Sequence, residues 1–120
     1  MTQQTALQPL EYARYAADVA SDKLASDIVM LNIGDVSDFA DYFVILTVES
    51  TRQMRAIVED LEHALEDKGG VRHHREGTPE SGWMLLDFGD VVIHVFGAEE
   101  RQFYDLESAW SEATELVRIL

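Results

Sequence analysis

Asp87 and His94 place a carboxylate and an imidazole inside the largely apolar run from Trp83 to Phe96. A carboxylate beside an imidazole is the pair that general-base chemistry uses to orient a proton acceptor. Such a pair acts on an acyl group only with a nucleophile next to the imidazole, and the sequence nominates none. Cysteine is absent, which removes thiolate nucleophiles, thiolate metal ligands and disulfides. Asp87 and Asp90 are the nearest paired acids for a magnesium-dependent reaction. That chemistry also needs a Gly-Ser phosphate loop, and no Gly-Ser pair occurs. Asp87-Phe88-Gly89 spells the kinase magnesium motif without its glycine-rich or catalytic loops. Neither a Walker-type loop nor a dinucleotide fingerprint is present. His63, His73, His74 and His94 match no closed zinc spacing, and His73 and His74 would point to opposite faces of a strand. Three histidines therefore read as solvent groups and His94 as a partnered one. No metal or cofactor is expected.

The elements that hold these residues are clear at Gly89-Asp90. A Gly-X pair between two β-patterned runs predicts a two-residue hairpin turn joining strands at 83–88 and 91–96. The turn fixes the register: Asp87 opposite Val92, Leu85 opposite His94, Trp83 opposite Phe96. One face then carries Met84, Leu86, Phe88, Val91, Ile93 and Val95, wholly apolar and so core. The other carries Trp83, Leu85, Asp87, Val92, His94 and Phe96. Asp87 lies diagonal to His94, within reach of a hydrogen bond. A polar pair among large hydrophobes suits a surface that meets another molecule. Trp83 fits either a core place or a hot spot of such a surface; Trp110 reads as core.

The rest of the chain reads as one α/β domain over residues 1–120, with helices packed on a mixed sheet. A helix from about Pro9 to Leu24 has a stripe of Leu10, Ala13, Ala17, Ala20 and Leu24, with proline at its first turn. Strands follow at 28–33 and 42–48. The second is apolar on both faces, as a central strand is. Ser50 and Gln53 have capping-box spacing. They open a helix whose stripe is Met54, Ile57, Val58, Leu61 and Leu65, with Glu62 among the outward charges, and Gly69-Gly70 ends it. A weak strand near 71–76 precedes the turn Gly77-Thr78-Pro79. Ala98 to Trp110 reads as a helix with Phe103, Leu106 and Trp110 on one side. Residues 111–120 continue or restart it on Leu116, Val117 and Leu120.

The formal charge is −14, from 23 acidic and 9 basic residues. Such a chain is repelled by phosphate backbones and anionic membranes, and attracted to basic protein surfaces. Acidity also serves plain solubility. The N-terminal residues lack the basic start and apolar block of a leader. No run approaches the roughly 20 apolar residues that span a bilayer. The expected location is the cytoplasm.

In this order and spacing, a set of residues from about Leu10 to Trp110 resembles the ribosomal silencing factor (RsfS, or Iojap) family. The pieces are Asp27-Ile28-Val29, Asp41-Tyr42-Phe43-Val44-Ile45, Ser50 with Arg52, Glu76-Gly77, Trp83, and Leu86-Asp87. Gly89-Asp90-Val91-Val92, His94, Phe96, Arg101, Tyr104, Leu106-Glu107 and Trp110 complete them. One departure is Val48, where the family often has glycine. The resemblance implies a nucleotidyltransferase-like fold without its active site and a translation repressor that is not an enzyme. It implies binding to the large ribosomal subunit through the universal L-type ribosomal protein number fourteen, blocking small-subunit joining when nutrients are scarce. It also implies self-association into dimers. The residues expected to meet the partner are Trp83, Met84, Leu85, Asp87 and His94, extended by Arg101 and Tyr104. Arg101 has an alternative place, paired with Glu107 or Asp105. Two other functions fit parts of the pattern: a metal-dependent nucleotidyltransferase using Asp87 and Asp90, and an acidic adaptor for some other basic protein.

Overall fold

In the computed structural model, which describes residues 7–120, six strands form one mixed sheet in the order β3-β4-β5-β2-β1-β6. Residues 1–6, the start of the segment read for a leader, lie outside the described residues. In chain order the elements are α1 (Pro9–Asp22), β1 (Ser26–Asn32), β2 (Tyr42–Val48), α2 (Thr51–Asp67), β3 (His74–Glu76), β4 (Trp83–Asp87), β5 (Val91–Gly97), α3 (Ala98–Tyr104), α4 (Leu106–Ala109) and β6 (Thr114–Ile119). A single 3₁₀ turn, Pro79–Ser81, leads into β4. Strands β2 and β5 pair in parallel, joined by the crossover that contains α2, and every other pairing is antiparallel.

The hairpin has the register its turn dictates, with Trp83 opposite Phe96, Leu85 opposite His94 and Asp87 opposite Val92. Gly89 takes φ +85°, which a two-residue turn of this kind needs and glycine supplies without strain.

Helices α1 and α2 cover one face of the sheet. In α1 the buried side chains are Ala13, Ala16, Ala17 and Ala20, so the helix lies close on the strands. Leu10 and Leu24, expected to extend that stripe, are exposed. The helix ends at Asp22, and Leu24 takes φ +68° beyond it. Along α2, Met54, Ile57, Val58, Leu61 and Leu65 are buried as their spacing requires. The Ser50 hydroxyl accepts the Gln53 backbone N–H at 3.0 Å. The Gln53 side chain passes the cap residue and accepts the Glu49 backbone N–H at 2.7 Å, so the reciprocal half of the box is displaced by one residue. Glu62, expected among the outward charges, is buried and ion-paired with Arg72 and Arg75.

The C-terminal expectation is corrected. The helix breaks at Asp105, which takes left-handed angles (φ +45°, ψ +51°), giving two short helices in place of one. Residues 114–119 form a strand, β6, which pairs antiparallel with β1. The spacing of Leu116, Val117 and Leu120 fits a helix turn. The β-branched residues Thr114, Val117 and Ile119, however, let the segment take up the free edge of β1, where its backbone groups find partners.

Gly77, at φ +88°, lies against the start of β4, where an added Cβ would collide with the Trp83 carbonyl oxygen. Gly77→Ala is therefore expected to destabilise the fold by about 2 kcal/mol or more in urea unfolding.

Candidate functional site

The second face of the sheet has far less cover. Its buried layer is Val29, Leu31, Ile33, Ala40, Phe43, Ile45, Val92 and Phe96, over which Trp83, Leu85, Leu106, Trp110 and Ala113 are only partly buried. Aromatic rings run across it in a continuous row. Phe39 meets Phe43 edge-on at 6.2 Å, and Phe43 meets Trp110 at 5.1 Å and the His94 ring at 4.6 Å. Trp83 stacks on Phe96 at 4.9 Å and tilts against Tyr104 at 4.7 Å, and Tyr104 meets Phe103 at 5.0 Å. Each good ring pair adds roughly 0.5–1.5 kcal/mol beyond its buried area. The row is closed in its middle and open at its ends, where Phe39 is 60% exposed, Tyr104 49% and Phe103 80%.

His94 is 3% exposed and lies at the closed centre of the row. Its partner is not Asp87. The Trp83 indole N–H donates to His94 Nδ1 at 3.2 Å. Asp87 instead accepts the Gly89 backbone N–H at 2.7 Å, locking the hairpin turn. The diagonal placement of Asp87 and His94 holds, but the expected bond between them is replaced by these two. Burial pushes the His94 pKa down from its ordinary 6.5 to about 3, so the ring is neutral at pH 7.

The other nominated residues divide. Met84, at 1% exposure, belongs to the core under α1 and α2, as strand alternation demands, and offers no surface. Leu85 is half-buried beside Trp83, and the two line a shallow apolar depression with Glu76 and Gly77. Tyr104 lines a second depression, of mixed polarity, with Ser81, Glu99, Glu100 and Phe103. Arg101 is turned inward. It donates to Glu107 at 3.0 Å, to the Asp27 carbonyl oxygen at 2.8 Å and to the Thr47 hydroxyl at 2.8 Å. This ties α3 and α4 to the ends of β1 and β2. Arg118 from β6 joins the same network through Asp27 and Glu107. Burial alone would raise the Glu107 pKa, but the hydrogen bonds and charges of Arg101 and Arg118 outweigh it and hold the carboxyl below its usual range.

Phe103 and Phe39 belong to the open ends of the row and were not nominated. Phe103 was expected on the buried side of a longer helix. The break at Asp105 ends that helix, and α3 turns Phe103 outward. A signal existed: adjacent residues on a helix point about 100° apart, so Phe103 and Tyr104 cannot both face the sheet squarely. Among the described residues no group of three or more His, Cys, Asp or Glu is placed to hold a metal ion. None of the described helices is long and apolar enough to cross a membrane.

A family model described as "Ribosomal silencing factor during starvation" matches residues 6–119. The ribosomal silencing factor RsfS of Bacillus subtilis is 39% identical over 83% of this chain and 85% of its own length. That of Halalkalibacterium halodurans is 37% identical over 86% of this chain and 88% of its own. A crystal structure of a Chromobacterium violaceum protein superposes with a TM-score of 0.83, at 28% identity, covering 88% of each chain.

The unfolded chain takes a proton on His94 below about pH 6.5 and the folded chain refuses it until about pH 3. Stability is thus fully present above pH 6.5 and falls with acid by up to about 1.4 kcal/mol per pH unit. Urea unfolding is expected to show a loss of about 1.4 kcal/mol between about pH 7.5 and about pH 5.5, absent in His94→Gln. Arg101→Ala leaves buried acceptors unpaired, and is expected to lower stability by about 2–3 kcal/mol with faster amide exchange in α3 and α4.

Proposed function

Because this chain belongs to the ribosomal silencing factor family, we propose that it represses translation by laying the open end of its aromatic row on a basic ribosomal protein. The surface is Trp83, Leu85, Phe103 and Tyr104. The target, carried over from the family resemblance, is the universal L-type ribosomal protein number fourteen on the subunit-joining face of the large subunit. The setting is the cytoplasm under nutrient limitation. The act is steric: a domain seated there occupies space that the small subunit needs, so no bond has to be made or broken.

The observation that carries this reading is an exposed Phe103 beside a half-exposed Tyr104 and Trp83, on a chain of net charge −14. Aromatic side chains that stay open in a folded monomer are the anchors that partners bury. Glu76 borders the Trp83 side of the patch, and Glu99 and Glu100 border the Phe103 side. An apolar centre with an acidic margin is matched by an apolar spot ringed with lysine and arginine. Such a margin speeds encounter at low salt, and the advantage fades as salt rises.

Sedimentation of the chain with purified large subunits tests the reading. Phe103→Asp changes a side chain that supports little of the fold. It is expected to unfold at the wild-type urea midpoint and to bind large subunits at least roughly thirtyfold more weakly. Trp83→Ala is expected to weaken binding as strongly, and Leu24→Asp, beyond the end of α1, to leave it unchanged. Wild-type chain added to both subunits is expected to hold them apart, and Phe103→Asp to let them join. Wild-type affinity in folded Phe103→Asp and Trp83→Ala would move the docking surface elsewhere.

A further inference from the structure

We infer that His94 is a positioning residue: by accepting the Trp83 indole N–H, it fixes the ring in the attitude that the partner meets. This rests on the docking surface proposed above and adds to it a residue that touches no partner.

The placement argues for a task. His94 faces the buried layer of the second sheet face, between Phe43 and Phe96, a position that leucine or phenylalanine would fill without any polar demand. A neutral imidazole has one N–H and one bare nitrogen. Nδ1 accepts the hydrogen bond of the Trp83 indole N–H at 3.2 Å, so the ring proton sits on Nε2. Nε2 is buried and has no hydrogen-bond partner among the described residues. Leaving a buried donor unpaired is unfavourable by about 1–3 kcal/mol. The other tautomer would set N–H against N–H at Trp83. The fold therefore carries one unpaired donor and keeps one indole bond. For core packing alone this is a poor exchange. For a ring that must be held still it is a reasonable one.

Trp83 has reason to be held. It is half-buried on the open margin of the row, with Phe96 stacked on one side and Tyr104 tilted against it. Stacking limits tilt but leaves an indole free to slide and to flip about its side-chain torsions. A hydrogen bond at Nε1 removes both freedoms, because only one edge of the ring carries the donor. A side chain already ordered before contact loses little entropy on binding. The bond persists through the neutral pH range because the deeply buried imidazole stays uncharged there.

Two substitutions separate the roles of size and hydrogen bonding. His94→Leu keeps the bulk without an acceptor, and His94→Gln keeps an acceptor. The chain has 2 tryptophans, so its ¹⁵N spectrum has one indole signal from each, and Trp110→Phe assigns them. In His94→Leu the Trp83 indole signal is expected to shift upfield and exchange faster with solvent, with an unfolding midpoint at or above wild type. Large-subunit affinity is expected to fall roughly tenfold. His94→Gln is expected to keep the signal near its wild-type place and to recover most of the affinity. An unchanged indole signal in His94→Leu would overturn the inference, and so would a shifted signal with wild-type affinity. Trp83→Ala tells the two failures apart. If it binds normally, the docking surface is wrong. If it binds weakly while His94→Leu binds normally, only the positioning role is wrong.

Discussion

The two faces of one sheet demand equal cover and do not receive it. Strands β2 and β5 lie inside the sheet and are apolar on both sides, so both faces must be kept from water. Helices α1 and α2, of 14 and 17 residues, do this for one face. The other has α3 and α4, of 7 and 4 residues, helices too short to be stable by themselves. They stay in place because Arg101 of α3 bonds Asp27 and Thr47 at the end of the sheet, and Arg118 of β6 bonds Glu107 of α4. The remaining cover is made of aromatic rings lying on one another. Rings close such a layer thinly, and at its margin they end in open water.

That shortfall leaves an apolar margin of the sheet open. A sheet face sealed by a third long helix would leave nothing to offer a partner. Here the seal stops at Trp83 and Tyr104, and Phe103 projects beyond it. The ionic ties and the Trp83–His94 bond hold this margin in one shape, and the surrounding glutamates set the sign of charge it attracts.

Much of this was legible in the sequence, for local reasons. Gly89-Asp90 set the hairpin register, and register alone sorted its side chains into two faces. The stripe of α2 and its serine cap are likewise local signals. The misreadings concern non-local choices. Residues 114–119 suit a turn of helix or an edge strand about equally, and the open edge of β1 decides between them. Whether α3 runs on to Trp110 depends on Asp105 taking left-handed angles, which decides where Phe103 points. Strand parity put Asp87 and His94 on one face but could not tell which polar group reached the imidazole. The indole at Trp83 did, and the turn at Gly89 took the carboxylate. Met84 was placed on the core face by its register and was also expected to meet the partner; it lies in the core, so only the first expectation holds.

If the thinly covered face, and not the helical one, is what meets the ribosome, amide hydrogen exchange of the chain, alone and bound to purified large subunits, will reveal it. Exchange is expected to slow on binding in β3, β4 and α3, with α1 and α2 unchanged. Protection confined to α1 and α2 would mean that the helical face docks instead.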